Sequence, residues 1–257
     1  MVNADFTVDD YAAYITVQRA EKLNAIDTST KTEIIDRLRQ YKDDEAVRVV
    51  VFQSDGDRAF CAGGDVREIP ETDYSLKHFT DSWDELFATM RNLGLPTVAK
   101  VDGVALGGGF DWLLHTDFVV AASDAEVGQP EIDLGIVNHF SPPVLLDQVG
   151  VRKTMELLLT GETISGAEAA EIGLVTRSVP REELDEAVDS LVSTLVNKNP
   201  RVVEKIKDGI YTSLEMSPSA AKSHLEDVSL ESARTDPDYR EGVDAQLAGR
   251  DPEWTVK

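Results

Sequence analysis

The chain has 257 residues, 42% of them apolar, with 48 acidic against 25 basic side chains and a formal net charge of −23. That length supports a sizeable core in one large domain or one and a half ordinary ones. An acidic surface of this kind repels nucleic-acid phosphates and anionic membranes, and no apolar run approaches the roughly 18 residues of a spanning helix. The acids are spread along the chain, so the surface self-repels at low salt and salt screens it. The expectation is a protein of a salt-rich cytoplasm, whose melting temperature rises between low salt and molar KCl. The single cysteine, Cys61, excludes internal disulfides and fits a reducing compartment. The N-terminal stretch is acidic and lacks a basic n-region, which predicts no secretory signal. The four histidines, His78, His115, His139 and His224, show no metal-ligand spacing.

In chain order, "YAAYITVQ" (11–18) reads as a strand and "RAEKLNAID" as a polar loop. Asp27 to Thr30 offer N-cap side chains, and Thr30 with Glu33 fits a capping box. Ile34, Leu38 and Tyr41 then recur at helical spacing. "AVRVVVFQS" (46–54) is a buried strand, followed by a loop, a helix around 75–93 and a strand "TVAKVDG" (97–103). A glycine turn leads into a short helix, "DFVVAA" (117–122) is a strand, helices cover 143–159 and 166–172, and "GLVTRSV" (173–179) is the last strand. Beyond Pro180 four amphipathic helices follow, opened by proline or Ser/Asp-Pro signals. An α/β part over residues 1–180 thus precedes an all-helical part over 181–257.

Two glycine loops follow buried strands: "FCAGGD" and "ALGGGFD". Neither matches a dinucleotide or P-loop pattern. Alone, each reads first as a tight turn or a close packing contact. Facing each other, they would aim unpaired backbone N–H groups at one oxygen anion. No GxSxG nucleophile elbow is present.

"AFCAGGDVREI", "VDGVALGGGFDWLLHTDFVVAASDAEVGQPEIDLGI" and "LTGETISGAEAAEIGLV" occur in that order, and together they resemble the crotonase (enoyl-CoA hydratase/isomerase) superfamily. The resemblance extends from "RAEKLNAI" at residue 19 to the helical C-terminus. It implies an α/β fold, a spiral of repeated ββα units, with C-terminal helices that assemble trimers or hexamers. It implies an acyl-CoA thioester substrate and no further cofactor or metal. Gly64 and Gly108 would supply the oxyanion N–H groups. Lys22, Leu23 and Ala25, with the loop Ala62, Gly63, Asp65 and Val66, would lie along the CoA moiety. Asp111 and Glu131 match the catalytic acids. The activity implied is hydration of a 2-enoyl-CoA, with enoyl- or dienoyl-CoA isomerisation as the alternative. Some relatives bind RNA instead, a role that the net charge of −23 opposes.

Two departures stand out. Asp111 is one methylene shorter than the glutamate usual in hydratases. The glycine-rich helix start usual after "PE-x-x-LG" is replaced by "VNHFSPPV", so Asn138, His139 and Phe140 would border the acyl pocket. Histidine there is either a titrating group or packing beside Phe140. Cys61 reads as a small buried residue behind the oxyanion loop. Phe79, Trp83, Leu86 and Phe87 form a helical stripe, read as core rather than acyl contact. His115 and His224 read as structural.

Overall fold

The computed structural model describes residues 3–255, apart from the side chain of His78. Strands β1 (Ala4–Asp9) and β2 (Ala12–Val17) form an antiparallel hairpin, and β2 pairs in parallel with β3 (Val49–Ser54). Four more strands then alternate between two sheets. β5 (Thr97–Val101) and β7 (Phe118–Ala122) extend the first sheet, while β4 (Ala59–Cys61) and β6 (Val104–Leu106) build the second. The second sheet is completed by β8 (Glu126–Gly128) and the antiparallel β9 (Thr163–Ser165), the first by β10 (Arg177–Val179). The orders are β1-β2-β3-β5-β7-β10 and β4-β6-β8-β9. Each pair of successive strands, β3/β4, β5/β6 and β7/β8, sends one member to each sheet. This is the ββα spiral expected from the motifs.

The central strands are buried on both faces, as parallel strands under helices require. Val49, Val50, Val51 and Phe52 are each fully buried, as are Val98, Ala99 and Val101. Helix α1 (Thr28–Lys42) turns Ile34, Ile35, Leu38 and Tyr41 inward, and α2 (Glu68–Glu71) is a single turn. Helix α3 (Leu76–Arg91) packs on α1 through Trp83, Leu86, Phe87 and Met90. Between the sheets, Trp112 of α4 (Gly108–Leu114) meets Phe52, Phe60 and Trp83 edge-on at 5.1, 5.5 and 6.5 Å. Helix α5 (Ser141–Thr160) is broken at Gly150, whose φ of 73° and ψ of 169° are not helical. After α6 (Gly166–Glu171), helix α7 (Leu184–Val196) lays Leu184, Val188, Leu191, Val192 and Val196 into the core, against β3, β5 and β7. Helices α8 (Pro200–Leu214), α9 (Pro218–Thr235) and α10 (Asp238–Ala248) follow. Among the described residues no helix is long and apolar enough to cross a membrane.

Several local expectations need correction. The Thr30–Glu33 capping box does not form. The cap is Asp27, the first of the expected N-cap side chains and three residues before Thr30, with its Oδ1 accepting from the Thr30 N–H at 2.8 Å. The strand expected at 46–54 begins only at Val49, and the one expected at 173–179 contracts to Arg177–Val179. Strand β1 and the short strands of the second sheet were not foreseen. Three residues hold too few alternations to show a two-residue period.

Candidate active site

The glycine loops meet because β4 and β6 are neighbours in the second sheet. A Cβ placed on Gly63, whose φ is +99°, would lie 3.2 Å from the Gly108 nitrogen. The first loop is zipped to the segment after β2. Ile26 N–H donates to Gly63 O at 2.9 Å, Asp65 N–H to Ile26 O at 2.9 Å, and Ala62 N–H to Leu23 O at 3.0 Å. This pairing uses the N–H groups of Ala62 and Asp65 and leaves that of Gly64 without a backbone carbonyl partner among the described residues. Gly108 opens α4, where an N–H has no partner one turn back. The two donors predicted from the motifs therefore stand unpaired on adjoining loops. A side chain at either position would force an aromatic ring to move. A Cβ on Gly64 would sit 2.4 Å from Phe79 Cζ, and one on Gly108 would sit 2.5 Å from Trp83 Cζ2. Cys61 is buried behind the loop and accepts from Gly63 N–H at 3.4 Å; burial pushes its thiol up to about 12.

Helix α4 carries Asp111 one turn beyond Gly108, on the wall of the same cleft. Its carboxylate is buried and accepts from Asn138 Nδ2 at 2.8 Å, Gln129 Nε2 at 3.2 Å and the Ser141 hydroxyl. Burial pushes Asp111 up to about 6, against the pull of those three donors. Asn138 also accepts: its Oδ1 takes hydrogen bonds from Phe140 N–H at 2.8 Å and Ser141 N–H at 2.9 Å, ordering the entry to α5. Pro142 and Pro143 fit that first turn, where an N–H has no helical acceptor. Behind Asp111, His115 Nδ1 lies 2.8 Å from the Asp111 carbonyl, so this nitrogen carries the proton. Its ring stacks on Phe87 at 4.2 Å.

Glu131 sits in a 3-10 turn, Pro130–Leu134, closed by Gly135 at φ 70°. Its Oε2 is buried and has no hydrogen-bond partner among the described residues. Burial, and then the negative charge of Asp111, push it up to about 7. A Cβ on Gly107 would fall 2.6 Å from Glu131 Oε1. The acid thus faces the second glycine loop across a gap only glycine leaves open.

The cleft holds about 150 Å³ and is lined by both loops, both acids and an apolar wall that includes Phe79, Trp83, Leu134, Val137 and Phe140. The aromatic stripe of α3 therefore divides: Phe79 and Trp83 reach the cleft, whereas Leu86 and Phe87 are core. Of the predicted CoA contacts, Ala62, Gly63 and Val66 line the cleft, with Lys22, Leu23 and Ala25 alongside on the zipped segment. Asp65 points away. Arg67 holds it at 2.6 Å and Arg19 at 3.2 Å, lowering its carboxyl to about 2. His139 lies at the cleft rim, half exposed, with Phe140 at 4.0 Å and Asp84 at 3.9 Å. The groups that touch Asp111 are Gln129, Asn138 and Ser141. Of these, Gln129 and Ser141 were missed by sequence reasoning. Nothing in a lone Gln or Ser announces that chain folding will bring it to a carboxylate 18 or 30 positions away.

A family model described as enoyl-CoA hydratase/isomerase matches residues 9–257. A probable enoyl-CoA hydratase of Mycobacterium bovis is 30% identical over 251 residues, covering 96% of this chain and 95% of that protein. The hydroxycinnamoyl-CoA hydratase-lyase of Pseudomonas fluorescens is 32% identical over 227 residues, covering 85% and 81%. The crystal structure of an enoyl-CoA hydratase from Bacillus anthracis superposes with a TM-score of 0.93 at 27% identity, covering 99% of this chain and all of that one.

Proposed function

The chain belongs to the enoyl-CoA hydratase/isomerase family, and from that premise we propose that it adds water reversibly to a 2-enoyl-CoA. The observation that carries this reading is the pair of buried carboxylates opposite two unpaired N–H groups. The thioester oxygen accepts from Gly64 and Gly108, which stabilise the negative charge that develops as the enolate forms. Three donors keep Asp111 the more acidic of the two, so at neutral pH it is the base. Glu131, unpaired and raised to about 7, keeps its proton in about half of the molecules at neutral pH. Asp111 takes a proton from water as its oxygen bonds to the β-carbon. Glu131 protonates the α-carbon as the enolate collapses to the thioester, and passage of the proton from Asp111 to Glu131 restores the site.

One observation favours a second reading. Both oxygens of Asp111 already accept hydrogen bonds from the protein. If they stay so engaged, Glu131 alone moves a proton between carbons and the enzyme is an isomerase. Crotonyl-CoA and a 3-enoyl-CoA, offered separately in molar KCl, separate the two by product mass. A gain of one water marks the hydratase. A moved double bond at constant mass marks the isomerase and overturns the hydratase reading.

The proposal includes a cytoplasmic homo-trimer or hexamer. Val202, Ile206, Ile210 and Leu214 recur every four residues on α8 and are all exposed in the single chain, which supports burial against another copy.

A further inference from the structure

One buried cation is unused by this chemistry. Lys31 lies on the inner face of α1, a turn before Ile34 and Ile35, and is fully buried. Its Nζ makes no hydrogen bond among the described residues. The acids around it are engaged elsewhere. Glu68 accepts from the Thr28 N–H and hydroxyl, and Asp27 caps the helix and pairs with Arg19 at 3.1 Å. What faces the ammonium instead is aromatic: Trp83 with its ring centre at 4.7 Å and Phe79 at 5.2 Å. A ring face attracts a cation through its quadrupole, and more strongly away from water. These are the same two rings that abut Gly108 and Gly64.

We propose that Lys31 is a positioning residue of the oxyanion site, a buried charge that clamps Phe79 and Trp83 against the two glycine loops and adds positive potential behind both N–H donors. An unpaired ammonium in a core is costly, and a methionine of similar length fills the same space without that cost. Stability alone therefore favours the neutral side chain. A charge one ring behind the thioester oxygen acts through low-dielectric material, where its field is screened far less than in water. The proposal rests on the acyl-CoA reading above.

The test uses acetoacetyl-CoA, whose enolate has its own ultraviolet band, bound to the wild type, Lys31→Met and Lys31→Arg. Lys31→Met is expected to melt at or above the wild-type temperature and to bind the keto form of the ligand about as tightly. It is expected to hold it as enolate with an equilibrium constant lower by about tenfold or more. Lys31→Arg, which keeps the charge, is expected to retain most of the enolate. A wild-type enolate fraction in Lys31→Met overturns the proposal. Failure of the wild type to bind acetoacetyl-CoA overturns the acyl-CoA reading itself and is distinct from that result. The wild type alone provides a second measurement. Burial lowers Lys31 to about 8, with Glu68, Cys61 and Asp27 the ionisable groups facing it. Enolate affinity, corrected for the free ligand's ionisation, is expected to weaken as pH rises through about 8. An affinity that stays level to about one and a half pH units above that value overturns the proposal.

Discussion

The two sides of the cleft are built on different principles. On one side the proposed working groups are backbone N–H groups on glycine loops, placed by strand pairing and by aromatic rings that crowd any Cβ. On the other side they are carboxylates, whose protonation is set by burial and by which side chains donate to them. A backbone donor has a fixed charge and is sensitive to position. A carboxylate has a variable charge and is sensitive to its neighbours. Substitutions of the glycines on the first side should therefore act through geometry, and those of the carboxylates and their donors through pH.

The largest effect is expected at Glu131. Glu131→Gln keeps the shape and removes the transferable proton, and kcat should fall by about 10³-fold, within the range for general acid–base groups. Residual activity above about a tenth of wild type in steady-state assays would mean that Asp111 does the proton transfer alone. Next is Gly108→Ala, which forces Trp83 or the loop to move. A loss of about a hundredfold in kcat is expected, with an unchanged pH optimum. A displaced optimum would show that the two sides are not separable.

Ser141→Ala should cost about tenfold. It withdraws one donor from a buried carboxylate, so Asp111 rises further and the acid limb of kcat/KM moves to higher pH. A limb that stays in place would locate that ionisation elsewhere. Stability offers a cross-check with the sign worked out. Glu131 titrates at about 7 in the folded chain, above its ordinary value of 4.5, so the folded state binds more protons between those values. Stability therefore declines as pH rises across that window, and Glu131→Gln removes the decline. Melting curves should show the variant more stable than wild type above that window, at about pH 8, by roughly 1–3 kcal/mol, and equal to it below the window, at about pH 4. The smallest effect is expected at His139. His139→Ala should change kcat by less than about threefold, because its ring leans on Phe140 and Asp84 at the rim. A larger loss with an altered pH profile would bring His139 into the chemistry.

The fold was legible where signals were local and repeated. The buried β3, β5 and β7 strands announced themselves as apolar runs, and the C-terminal helices through their proline starts. The second sheet did not, because its strands are three residues long and are defined by pairing rather than by pattern. Lys31 is a different case, a signal present in the sequence whose meaning needs the fold. It stands three and four positions before Ile34 and Ile35, which puts it on the apolar stripe, where a lysine is out of place.

The family, the two acids and the two glycine loops can be read from the chain before it folds, because each is a short motif whose chemistry resides in neighbouring residues. How those groups are charged and held is settled only in three dimensions. Gln129, Asn138 and Ser141 converge on Asp111 from separate positions along the chain, and Phe79 and Trp83, with Lys31 over their rings, come from two helices to abut Gly64 and Gly108. Burial and hydrogen-bond partnership are properties of the space around a group, and that space is assembled from residues far apart in the chain.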